Sequence, residues 1–166
     1  MVAAVIIPAR EGIDKDDAQD ASRTTAETNT APASSPASRT HAPAVLIIED
    51  SSELAEIIEA TLQRLDMVTA HETHGNKALA RFRNMKPDVM LLDIGLPDMT
   101  GWKLLDDIKD RYGDEGLPAI VVITAYGDPA NRLVGKLQNV HDYLIKPFTA
   151  DDVERVVVSA LGGATS

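Results

Sequence analysis

Residues 88–101 read DVMLLDIGLPDMTG. The apolar run Val89 to Leu92 ends on a carboxylate, Asp93, and turn formers follow at Gly95, Pro97, Asp98 and Gly101. A short apolar run bounded by turn residues marks a strand buried on both faces. Asp93 therefore stands at the C-terminal end of such a strand, and in open α/β sheets that edge is where ligands bind.

Outward from this stretch the same pattern repeats. AVLII (44–48) is a second buried run ending in Glu49 and Asp50, AIVVIT (119–124) ends in Thr124, and His141 to Ile145 ends in Lys146. Met67 to Ala70 reads as one further, shorter strand. Helical spacing fills the gaps: Leu54 to Leu65 after the N-cap candidates Ser51 and Ser52, and 76–84 with Ala78, Leu79, Phe82 and Met85 inward. After Gly101 comes a helix with Trp102, Leu105 and Ile108 on one side. Asp128-Pro129 opens another, running to about Gln138. Thr149 with Asp152 approximates a capping box for a last helix that turns Val153, Val157, Ala160 and Leu161 inward. Five strands alternating with five helices predict a parallel sheet covered on both faces, with right-handed crossovers.

In such a sheet the acids, Thr124 and Lys146 share one edge. With strand order 2-1-3-4-5, the first and third strands flank the switch point, bringing Glu49, Asp50 and Asp93 together. Three carboxylates there either rise in pKa or share a cation. Oxygen donors of this kind suit a hard divalent ion, and Mg²⁺ is the natural choice because it keeps waters that a phosphate can replace. The loop after the first strand, EDSSEL (49–54), has no glycine, so it is not a backbone cradle for a nucleotide phosphate.

Composition narrows the classes further. A formal net charge of −10 argues against a nucleic-acid footprint. The absence of cysteine excludes disulfides and thiol nucleophiles and is compatible with a reducing cytoplasm. No apolar run is long enough for a membrane span. In residues 21–43, Ala, Ser, Thr and Pro fill 18 of 23 positions, too little apolar surface to offset ordering entropy. The expected organisation is a disordered extension over 1–43, a domain over 44–161 and a short tail over 162–166.

The joint pattern resembles the receiver domain of two-component response regulators. It consists of an acid pair after the first strand, LLDIGLPDMTG (91–101), ITA (123–125) and DYLIKPF (142–148). The resemblance implies a flavodoxin-like fold with Asp93 as phosphoacceptor, taking a phosphoryl group from a histidine kinase or histidine phosphotransfer protein. It implies that Asp50 binds Mg²⁺ directly, Glu49 through water, and Gly95 through its backbone carbonyl. Lys146 and Thr124 match the residues that contact phosphoryl oxygens, and Thr124 and Tyr143 match the switch pair. Pro147 matches the proline of a cis peptide bond. The implied partners are a kinase or phosphotransfer protein and a downstream effector, with a homodimer through the fourth helix, fifth strand and fifth helix as a further option.

Because the chain as given ends at Ser166, a stand-alone receiver is expected. Its only chemistry of its own would be Mg²⁺-dependent self-phosphorylation from a phosphodonor and autodephosphorylation. A phosphorylation-independent docking module, or a receiver fragment of a larger regulator, are the alternatives. A haloacid-dehalogenase-type phosphatase would want a second Asp where Gly95 stands. Gly95, Tyr126 and the run KLQNVHDYL (136–144) depart from the family's common pattern, which leaves phosphoryl lifetime and dimerisation mode open.

Overall fold

The structure, a computed structural model, describes residues 40–125 and 129–163. The expectations for residues 1–39, for Asp128 as an N-cap and for the last three residues of the tail lie outside these. Five strands, β1 (Ala44–Ile48), β2 (Val68–Glu72), β3 (Val89–Asp93), β4 (Ala119–Thr124) and β5 (Asp142–Ile145), alternate with five helices. These are α1 (Ser52–Gln63), α2 (Gly75–Met85), α3 (Gly101–Tyr112), α4 (Pro129–Leu137) and α5 (Ala150–Gly163). All strand pairs are parallel and the order is β2-β1-β3-β4-β5, the flavodoxin-like arrangement.

Side-chain alternation along the strands builds two cores. Val45, Ile47, Val89, Leu91, Val121, Ile123 and Leu144 face one way, packing with Ala55, Ile58 and Leu62 of α1 and Val153, Val156 and Val157 of α5. Leu46, Ile48, Met90, Leu92, Ile120 and Val122 face the other, against Ala78 and Phe82 of α2 and Leu104, Leu105 and Ile108 of α3. Each buried aliphatic side chain contributes about 1.5–3 kcal/mol relative to exposure, so the central strands dominate the packing energy.

Side-chain caps start three of the helices: those at Ser51 and Thr149 are expected from the sequence, and the one at Thr100 is not. Ser51 Oγ accepts from Leu54 N at 3.3 Å, and Thr100 Oγ1 accepts from Lys103 N at 3.2 Å. At α5 the box is reciprocal: Asp152 N donates to Thr149 Oγ1 at 3.2 Å, while Thr149 N donates to Asp152 Oδ2 at 2.9 Å. Two elements differ from expectation. The edge strand β2 runs two residues further than the short strand read at its start, because VTAHE is mixed polar and apolar and shows no clean boundary. The α2 helix starts at Gly75, after His74, which makes no side-chain cap. Its first amides are served from elsewhere: Gly75 N and Asn76 N donate to Asp98 Oδ1 and Oδ2 at 2.9 and 3.0 Å.

Candidate functional site

Register and alternation explain which side chains meet at the C-terminal edge. The β1–β3 ladder pairs Ile48 with Leu92, so Glu49 comes level with Asp93 one step later. Alternation sends Glu49, Asp93 and Lys146 to the side of the α1/α5 core, the side taken by Ile47, Leu91 and Leu144. It sends Thr124 and Tyr143 to the opposite side, with Ile120 and Val122.

The first group is tightly assembled. Lys146 Nζ donates to Glu49 Oε1 at 3.0 Å and to Asp93 Oδ2 at 3.0 Å. It also lies 2.9 Å from Glu49 Oε2, a charge contact without hydrogen-bond geometry, so this fully buried oxygen has no hydrogen-bond partner. Ser51 N donates to Glu49 Oε1 at 3.2 Å, and Gly95 N donates to Asp93 Oδ1 at 2.9 Å. Both oxygens of Asp93 are therefore engaged. Asp50 is exposed, yet its carboxylate falls with those of Glu49 and Asp93 in a group whose ligand atoms lie within 4.8 Å of one another.

Electrostatics follow from burial. Desolvation lifts the Glu49 carboxyl to about 7, with the neighbouring Asp93 charge adding to it and the Lys146 hydrogen bond opposing it. For Lys146, burial pulls downward, but the bonds and charges of Glu49 and Asp93 outweigh it and leave the ammonium raised. Three convergent carboxylates, one offering a buried oxygen without a hydrogen bond, fit a hard divalent cation that prefers oxygen ligands.

The loop after β3 is held close to the site. Gly101 N donates to Ile94 O at 2.8 Å, and a side chain at position 101 would collide with the Asp93 carbonyl oxygen. The loop carries Gly95, bridged to Thr100. The Lys146–Pro147 peptide is cis. A cleft of about 540 Å³ opens beside Lys146 between Ser51, Leu54 and Ile57 on one flank and Ala125 and Phe148 on the other.

The second group sits under α4. Thr124 is buried at the end of β4 and its carbonyl accepts from Lys146 N at 2.8 Å. Tyr143 is half-buried, its hydroxyl 3.4 Å from the carbonyls of both Asn131 and Arg132. Burial raises its pKa. Its ring lies in space left open by Gly135, the one buried residue of α4. Trp102 Nε1 donates to Asn131 Oδ1 at 3.3 Å, tying α3 to α4. The structure thus brings Glu49, Asp50, Asp93 and Lys146 into one cluster, holds Gly95 against it, and places Tyr143 apart from it. Gly135 escaped sequence reading, since a glycine inside a helix signals only a propensity cost.

Comparison with known proteins agrees with this geometry. The response regulator receiver domain family matches residues 45–158. The DNA-binding response regulator MtrA of Mycobacterium tuberculosis is 35% identical over 104 residues, 63% of this chain and 44% of that protein. The DNA-binding transcriptional regulator NtrC of Proteus hauseri is 32% identical over 117 residues, 70% of this chain and 24% of its own. The chain thus spans less than half the length of these curated relatives. Among solved structures, the BeF3-activated N-terminal receiver domain of Klebsiella pneumoniae RstA is 26% identical, with a TM-score of 0.63 over 71% of this chain and 97% of that one. The chemotaxis response regulator CheY4 of Vibrio cholerae has the same fold, with a TM-score of 0.67 at 23% identity, covering 73% of this chain and all of the other. Fold, clustered carboxylates and sequence match converge: this chain belongs to the response regulator receiver family.

Proposed function

We propose that this chain is a phosphorelay receiver that accepts a phosphoryl group on Asp93 and signals through a changed protein-binding surface. The observation that carries the reading is the Lys146 ammonium, 3.0 Å from a carboxylate oxygen of each of Glu49 and Asp93. A lysine joining a buried acid to a strand-end aspartate is a weak way to stabilise a fold, but it holds an ammonium where it can meet a phosphoryl oxygen on Asp93 once a cation offsets the carboxylates. The donor is a phosphohistidine on a sensor histidine kinase or phosphotransfer protein.

An Asp93 oxygen attacks phosphorus while the P–N bond breaks and its electron pair returns to the imidazole, which takes a proton from solvent. Lys146 releases Asp93 Oδ2 and meets a phosphoryl oxygen instead, a transfer its flexible stem permits. Thr124 donates its hydroxyl to another. Asp50, Asp93 and the Gly95 carbonyl would hold Mg²⁺, with Glu49 reaching it through water. Bound there, the ion neutralises charge between two anions and aligns them for in-line transfer.

Output follows as a population shift in which Thr124 moves toward the phosphoryl group and Tyr143 follows, remodelling α4, β5 and α5. Leu133 and Leu137 of α4 and Ile145 of β5 are exposed there, available to an effector protein or a second copy. The net charge of −10 supports a protein target over nucleic acid. Among the described residues no helix is long and apolar enough to cross a membrane.

The test is direct. Incubation with Mg²⁺ and acetyl phosphate should add one acid-labile phosphate, detected by intact mass. An Asp93→Asn chain that still takes up that phosphate overturns the assignment.

A further inference from the structure

The strand β1 stops at Ile48, but its hydrogen-bond ladder toward β2 does not. Glu49 N still donates to Glu72 O at 3.1 Å. The next group along the chain, the Glu49 carbonyl, accepts from a side chain: His71 Nε2 lies 2.7 Å away. Because a carbonyl can only accept, this nitrogen carries the proton. His71 is half-buried on the strand beside the acid pair and shares no ligand position with it.

That carbonyl belongs to the peptide linking Glu49 to Asp50. Fixing the peptide plane fixes where the Asp50 side chain leaves the backbone. Asp50 is exposed, whereas Glu49 is pinned by Lys146 and Ser51, and Asp93 by Gly95 and Lys146. We propose that His71 is a positioning residue: its imidazole N–H orients the Glu49–Asp50 peptide so that Asp50 points at the cation shared with Asp93. This rests on the metal-dependent reading above and adds a residue to it. Outer-shell groups of this sort govern affinity without touching the ion.

The experiment compares the full chain with His71→Leu, which keeps apolar bulk but cannot donate, and His71→Gln, whose amide nitrogen can reach the same carbonyl. Mg²⁺ alone is titrated at fixed pH and ionic strength, followed by amide NMR shifts of Asp50 and Gly95. His71→Leu should weaken Mg²⁺ about tenfold, the low end of outer-shell effects, while His71→Gln stays within about threefold of the parent. The Asp50 amide nitrogen, in the very peptide that His71 holds, should shift in metal-free His71→Leu and return in His71→Gln. Thermal melts of both variants report folding separately. Parent binding with His71→Leu equally tight, or His71→Gln as weak as His71→Leu, overturns the positioning role alone. A parent chain that does not bind Mg²⁺ overturns the metal-site reading and this inference together.

Discussion

Tyr143 and Gly135 share a single slot: the phenol of β5 occupies the space that a Cβ on α4 would need. The hydroxyl completes the fit by reaching the Asn131 and Arg132 carbonyls one turn earlier. A glycine at this point is therefore a steric permission for an inward tyrosine, not a weak helix residue.

Gly135→Ala should expel the ring. Helix propensity alone favours alanine by about 1 kcal/mol, so the variant folds, but Tyr143 turns outward. Its raised pKa, caused by burial, should fall back toward the ordinary tyrosine value, read by NMR-detected titration of the ring carbon. Phosphate uptake on Asp93 should persist while any phosphorylation-dependent partner binding weakens. A Tyr143 pKa unchanged in this variant would show that the slot does not hold the ring.

The buried acid sets a pH dependence of unusual sign. Glu49 titrates at about 7 in the folded chain against an ordinary 4.5, so the folded state retains a proton that the unfolded state has lost. Stability therefore falls as pH rises from about 4.5 to about 7, and this contribution is flat above. Glu49→Gln cannot ionise, and relative to the parent it should gain on the order of 1–3 kcal/mol across that window, measured by urea melts at pH 4.5 and pH 8. Mg²⁺ favours the ionised acids, so saturating metal should stabilise the parent by about 2.7 kcal/mol at a hundredfold excess over Kd. The gain should be larger at pH 8 than at pH 5, and removed by EDTA. A parent-minus-variant difference that does not change with pH would contradict the burial effect.

Asp98 holds the start of α2 from the other side of the site, accepting from Gly75 N and Asn76 N. The Asn76 N–H leads in keeping its carboxyl below the ordinary value. Asp98→Ala should cost about 1 kcal/mol, in the range of a lost helix cap, with faster amide exchange at Gly75 and Asn76. Asp98→Asn, which keeps an acceptor, should retain most of it. This stabilisation is present above the ordinary Asp pKa and fades as pH drops through the lowered one.

Much of this architecture is legible in the residues. Val89 to Leu92, Val45 to Ile48 and Ile120 to Ile123 are buried on both faces, so each reads as an unbroken apolar run, and each ends on a group with evident chemistry. Such ends in parallel strands must share an edge, which is why Glu49, Asp93 and Lys146 could be grouped beforehand. What stayed hidden depends on distance along the chain. Asp98 reads as a turn former, because the amides it serves lie 22 and 23 residues away. The partner of the His71 ring, the Glu49 carbonyl, likewise lies 22 residues away. The bounds of β2 blurred since an edge strand half-exposed to water need not be uniformly apolar.

The alternation that separates Glu49, Asp93 and Lys146 from Thr124 and Tyr143 divides labour across the thickness of one sheet. On the proposed function, the phosphoryl donor meets the α1 side of the sheet and the effector meets the α4 side. Drift in donor recognition and drift in audience are thereby uncoupled, and a duplicated copy could acquire a new sender while keeping its old listener.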